Sequence, residues 1–143
     1  MIAVFDTNVI ASGIFWHRST ARRCLTGLAR REFKLAASDD ILNEYVLTCA
    51  ALHAQKPEQD PSGPLAWITS RALLVTPSPL GTQRSRDAKD DPFLACAVAA
   101  RAEYLVSSDR DLLVLRKPFG ISIVTPVQFL RVLERQRQSR KRF

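Results

Sequence analysis

Ile2-Ala3-Val4-Phe5-Asp6-Thr7-Asn8-Val9 is the stretch on which the fold turns. Four apolar residues run together and stop on an acid. A strand with one wet face alternates polar and apolar residues; a short unbroken apolar run reads as a strand buried on both faces. Such a strand needs helices on both sides of its sheet, which is the arrangement that β-α-β units build.

The pattern repeats outward along the chain. Phe33 to Ala37, Leu73 to Thr76, Tyr104 to Ser107 and Ile121 to Val124 are further short strands. Thr7 to Phe15 reads as a small helical or irregular segment. Ser19 to Arg31 has Ala21, Cys24, Leu25 and Leu28 at helical spacing, with arginines on the other faces. Ser38 is a helix N-cap, followed by Asp39 and Asp40 where the helix dipole favours anions. Helices are also expected over Leu65 to Ala72, Pro92 to Ala102, Asp109 to Leu115 and Pro126 to about Gln136. Residues 53–64, with three prolines, and 77–90 read as loops. The fold expected is α/β, three-layer α/β/α with a mainly parallel sheet, over residues 1–130. A basic helix end and tail follow over 131–143.

Composition sets the outer bounds. The chain has 143 residues, 46% apolar and 24% charged, which suits one folded domain and excludes a disordered chain. No run approaches the roughly 18 apolar residues of a membrane span, so no membrane partner is expected. The opening residues do not read as a signal peptide. Cys24, Cys49 and Cys96 are odd in number, far apart and form no CxxC, so they read as buried free thiols in a reducing cytoplasm. Only His17 and His53 could serve a His-based zinc site or a Ser-His-Asp triad.

In open α/β sheets ligands bind beyond the carboxyl ends of the strands, and four acids are expected there. Asp6 follows the first strand and Asp109 follows the fourth by two residues. Asp91 precedes Pro92, a favoured first helical residue, and so reads as an N-cap facing the strand tops. Glu44 sits in the second turn of the helix after the second strand. Singly, each acid is an ordinary cap or a solvated side chain. Together they would repel, and a hard divalent cation such as Mg²⁺ or Mn²⁺ would relieve that repulsion. An oxygen-only site of this kind suits phosphodiester hydrolysis.

Four segments carry a family resemblance. Ile2-Ala3-Val4-Phe5-Asp6-Thr7-Asn8-Val9 resembles the opening strand motif of PIN-domain nucleases. Ser38-Asp39-Asp40-Ile41-Leu42-Asn43-Glu44-Tyr45 resembles their second motif. Arg86-Asp87-Ala88-Lys89-Asp90-Asp91-Pro92-Phe93-Leu94-Ala95-Cys96-Ala97 resembles the third, and Ala102 to Leu113, through Ser107-Ser108-Asp109, the fourth. The group is similar to the VapC ribonuclease toxins of toxin–antitoxin pairs. The resemblance implies Mg²⁺- or Mn²⁺-dependent cleavage of RNA, with Asp6, Glu44, Asp91 and Asp109 as the catalytic, metal-binding acids. A one-residue shift exchanges Asp90 and Asp91, and the N-cap position favours Asp91. Asp87 and Asp111 would be supporting groups or salt-bridge partners. The family also suggests a hydroxyl or amide beside the site, from Thr7, Asn8 or Ser107. Its members are commonly homodimers, and the toxins are neutralised by a small antitoxin protein.

Two other doubly wound phosphate enzymes fit less well. A haloacid-dehalogenase-type phosphatase needs a second Asp two residues after the first, where this chain has Asn8. A receiver domain needs paired acids after the first strand, and here only Asp6 ends it. The remaining alternative is a PIN-like domain that binds RNA or protein without cutting, which would have lost an acid. The net charge of +7 divides unevenly: the last thirteen residues hold six bases and one acid. Residues 18–34 hold a second basic cluster, in which Arg18, Arg22 and Arg23 are candidate RNA contacts.

Overall fold

The computed structural model describes residues 1–80 and 91–141. Among these, seven helices surround a five-stranded sheet in a three-layer α/β/α arrangement. The strands are β1 (Ile2–Phe5), β2 (Lys34–Ala37), β3 (Leu73–Leu74), β4 (Tyr104–Val106) and β5 (Ser122–Val124). The helices are α1 (Thr7–Phe15), α2 (Thr20–Ala29), α3 (Asp39–Gln55), α4 (Ser62–Arg71), α5 (Asp91–Ala100), α6 (Arg110–Leu113) and α7 (Pro126–Lys141). The sheet order is β3-β2-β1-β4-β5, and every pairing is parallel.

This order follows from the apolar runs. Ala3, Val4 and Phe5 of β1, and Leu35, Ala36 and Ala37 of β2, are completely buried at the centre of the sheet. Phe5 stacks on Phe33 and meets Phe129 of α7 edge to face, so α7 seals one face. α5 carries the chain back across β2 and β1 to β4 and packs on all three. β3 departs from the expectation of strands buried throughout, since Leu73 and Leu74 are exposed at the sheet's edge.

Several helices differ from their expected extent. The Pro-rich stretch is not simply a loop: α3 continues to Gln55 and α4 begins at Ser62. Pro64 therefore lies in the first turn of α4, where the missing N–H costs nothing because those N–H groups have no intrahelical partner. The turn between the helices is pinned by His53, whose Nδ1 lies 2.7 Å from the carbonyl of Gln59. α7 runs on to Lys141, five residues beyond the apolar signal. It is held there by Arg137, which grips Glu32 with both Nε and Nη2.

α2 and α7 pack closely because Gly27 has no side chain. A Cβ there would lie 2.8 Å from Leu133 Cδ1. With the helices on both faces, the parallel strands finish at one edge. Between β1 and β4 the chain's connections depart in opposite directions, the position at which doubly wound sheets open a crevice.

Candidate active site

The buried polar residues mark this edge. Among the described residues only Asp6, Thr7, Ser38 and Ser107 are polar and buried. Each directly follows a strand: Asp6 and Thr7 follow β1, Ser38 follows β2 and Ser107 follows β4. Burying a polar side chain costs free energy unless it is hydrogen-bonded, and all four are bonded.

Asp6 is 6% exposed and occupies the N-cap position of α1, yet its side chain makes no capping hydrogen bond. The carboxylate turns instead toward β4, where Ser107 Oγ donates to Oδ2 at 2.7 Å. The parallel register explains the meeting. Phe5 pairs with Val106, so the next residue on each strand, Asp6 and Ser107, stand side by side. Ser107 Oγ also accepts the backbone N–H of Asp109 at 2.9 Å. Asp109 caps α6, its Oδ1 accepting the N–H of Asp111 at 2.8 Å. One serine hydroxyl thus links both acids.

Glu44 reaches the same place from α3. Ser38 Oγ caps that helix by accepting the N–H of Ile41. Thr7 Oγ1 donates to Glu44 Oε2 at 2.8 Å. Tyr45, the next residue, is 1% exposed and donates its hydroxyl to the carbonyl of Phe5 at 2.5 Å. That bond ties α3 to the end of β1. In the sequence Tyr45 figures only as the last residue of the second motif; its position beside Glu44 is the signal that could have singled it out.

The electrostatics agree with the geometry. Burial pushes the Asp6 carboxyl above its ordinary value; hydrogen bonds from Ser107 and the Thr7 backbone oppose this, and the negative charges of Asp109 and Glu44 push it further up. Burial also raises the Tyr45 hydroxyl well above its usual range, with Cys96, Asp6 and Glu44 adding to the effect. The charges of Asp109 and Glu44 therefore both bear on Asp6.

Asp91 opens α5, the helix that enters β4 through a short turn. It is the first residue of α5 rather than the residue before it, so the helix starts one position earlier than expected. Asp87 and Asp90 lie outside the described residues. Asn8 is exposed at the start of α1, and Asp111 is half-buried in α6. Arg18 and Arg23 point to solvent or its margin, whereas Arg22 donates from Nη1 to the carbonyl of Gly13 at 2.8 Å and so closes the end of α1. Among the described residues no group of three or more His, Cys, Asp or Glu side chains is assembled to hold a metal ion.

A model of the PIN domain matches residues 3–111, a span that includes Asp6, Glu44, Asp91 and Asp109. The chain belongs to the PIN domain family. Its fold is similar to a crystal structure described as VapBC2 from Rickettsia felis bound to a DNA fragment from their promoter. The TM-score is 0.56 at 18% identity, over 87% of this chain and 98% of that one. No curated protein matches this PIN domain chain. No helix among the described residues is long and apolar enough to cross a membrane.

Proposed function

We propose that this PIN domain is a divalent-metal-dependent endoribonuclease, the toxin of a toxin–antitoxin pair. The observation that carries the reading is the buried Asp6, held by Ser107 against β4 and flanked by the charges of Glu44 and Asp109. A lone structural cap would accept an N–H from the second or third residue of α1, and Asp6 makes no such capping bond.

The donors are oxygen atoms of carboxylates and hydroxyls, the set that Mg²⁺ and Mn²⁺ prefer. The Asp6 carboxyl is raised chiefly by burial, with the charges of Asp109 and Glu44 adding to it, and a bound cation would favour its charged form. Asp6, Glu44, Asp91 and Asp109 are the residues that would hold it. A bound Mg²⁺ or Mn²⁺ supplies an activated water and neutralises charge at a scissile phosphate. The protein's own part is positioning. Ser107 fixes Asp6 and the start of α6 together. Thr7 fixes Glu44, and Tyr45 fixes the helix that carries it. Asn8 and Ser108 line one cavity and are the groups that an RNA strand would meet there.

The structural likeness to a VapBC assembly supports a small antitoxin as the protein partner. The family reading also favours a homodimer and a cytoplasmic location. The test is cleavage of structured RNA with Mg²⁺ or Mn²⁺ by the wild type and by Asp6→Asn. Activity is expected to depend on metal, to vanish in EDTA and to fall at least a hundredfold in the variant. Equal activity in Asp6→Asn, or activity that survives EDTA, removes the proposal. Growth arrest on expression, relieved by co-expressing a neighbouring small protein, tests the toxin role.

A further inference from the structure

In sequence the bases form two separate blocks, residues 18–34 and 131–143. The fold joins them. α2 and α7 lie side by side and run the same way. Cys24 Sγ, midway along α2, donates to the carbonyl of Pro126 at the start of α7, and a turn further on Gly27 abuts Leu133. Beyond the end of α2, Glu32 meets Arg137. Glu32 is held below the ordinary carboxylate range by its hydrogen bond to Arg137, and the nearby charges of Arg137, Arg30 and Arg140 pull it further down. Bases from both blocks therefore surround one acid.

The two blocks contain twelve bases and two acids, a net +10 inside a chain of +7. Everything else in the molecule carries −3. Of the two acids, Glu32 is already paired. Arg23, Arg30, Arg31, Arg131, Arg140 and Lys141 are exposed. Charge is thus segregated, with a basic helix pair on one side and the acids at the sheet edge.

The face begins at a cavity that reaches Ser108, the residue before Asp109, and Asn8, two residues after Asp6. A cavity of about 320 Å³ is lined by Asn8 and Ser108, by Ser19 and Thr20 at the start of α2, and by Thr125 and Pro126 at the start of α7. Both helices lead away from that cavity. α7 has 16 residues, about 24 Å at 1.5 Å per residue. At roughly one phosphate per 3.4 Å of a duplex strand, that length spans about seven phosphates. Neither helix exposes an aromatic side chain among the described residues. An aromatic platform for stacking unpaired bases is therefore missing from the described residues of these two helices. Recognition through charge alone suits a paired RNA stem, which proteins read by its shape and backbone.

We propose that the α2–α7 face docks the phosphate backbone of a base-paired RNA stem, so that the unpaired continuation of the strand reaches Asp6, Glu44 and Asp109. This inference rests on the ribonuclease reading for its second half and is tested without cleavage. The full chain is titrated against a fluorescent RNA hairpin in EDTA, and anisotropy is followed between about 50 and 200 mM salt. Replacing Arg30, Arg131 and Arg140 together by Gln removes three contacts. The slope of log affinity against log salt is expected to flatten by about 2.7, at about 0.9 per contact. Over that fourfold salt range the wild type then loses about 40-fold more affinity than the variant.

Arg101→Gln, Arg116→Gln and Lys117→Gln together make the same charge change elsewhere and are expected to leave the slope alone. Equal flattening by both triple variants overturns the proposal, because net charge alone would then explain binding. So does hairpin affinity that is unchanged in the first variant, an outcome that would leave the face to an acidic protein. Single-stranded RNA bound as tightly as the hairpin overturns the assignment to a stem. If the first variant melts early, Arg131→Gln with Lys141→Gln gives the same test, with an expected flattening of about 1.8. Failure of the nuclease reading shows separately, as absent metal-dependent cleavage with these binding results intact.

Discussion

Ser107→Ala tests the centre of the site. Ser107 is 0% exposed, and its hydroxyl both donates to Asp6 Oδ2 at 2.7 Å and accepts from the Asp109 N–H at 2.9 Å. Alanine deletes one oxygen and leaves no sizeable cavity, so the cost is the hydrogen bonds. A bond to a charged group contributes about 1.5–3 kcal/mol. Asp109 is only half-buried, so water can replace Ser107 on its N–H. A total of about 2–3 kcal/mol follows, and at roughly 4 °C per kcal/mol for a chain of this size the melting temperature should fall by about 8–12 °C.

The pH dependence separates this account from simple misfitting. The wild-type Asp6 carboxyl is already raised in the folded state, chiefly by burial, so it costs stability as pH rises through its folded value. Ser107 holds that value down, and its loss pushes it further up. Above both folded values Asp6 is ionised in both proteins and the variant shows its whole deficit. Below them Asp6 is protonated in both, and the deficit shrinks to that of a neutral bond, about 1 kcal/mol. Thermal melts by circular dichroism in EDTA, from acid to neutral pH, measure this directly. A deficit that is constant with pH, or a fall of less than about 2 °C at neutral pH, refutes the reasoning.

Other expectations follow from neighbouring contacts. A thermal shift produced by Mn²⁺ in the wild type should be absent in Asp6→Asn, which in EDTA should melt no lower than the wild type because it removes a buried like charge. Thr7→Val keeps the shape but releases Glu44, and cleavage should fall about tenfold or more with stability changed by under about 1 kcal/mol; unchanged kcat would contradict a positioning role. Tyr45→Phe leaves the Phe5 carbonyl without its buried donor and should cost about 1–3 kcal/mol by chemical denaturation. Glu32→Gln should cost about 0.5–1 kcal/mol at neutral pH, discounted because Arg137 is 38% exposed. Glu32 is held low by Arg137, so that contribution exists above its unfolded value and disappears as pH falls through its folded one. A deficit that persists in acid would exclude the ion pair as its source.

The unbroken apolar runs at Ile2–Phe5 and Leu35–Ala37 were enough to announce a buried parallel sheet, since polar residues cannot stand on either face of a strand covered twice. The Ser38 cap and the helical spacing of Ala21, Cys24, Leu25 and Leu28 were legible for the same reason: they are local, and each is decided within one or two turns. α4 was misread at its start because Pro64 breaks a helix interior but not a first turn. The far end of α7 was missed because it is held by Arg137 on Glu32, a contact 105 residues apart in the chain.

The acids show the same division. That Asp6 and Asp109 follow strands could be read directly, and with it their meeting at one sheet edge. That Asp6 abandons the capping role its position offers could not. It depends on the register that sets Phe5 beside Val106 and so delivers Ser107 to its carboxylate. Nor did two basic blocks, far apart in sequence, indicate one surface; Gly27 lets α2 approach α7, and that approach joins them. The sequence by itself determined the layers and the kind of chemistry at the edge, because pattern and residue type are local properties. Only the tertiary structure decided which hydroxyl holds which acid and where the positive charge gathers, because those rest on distances between residues that the chain keeps far apart.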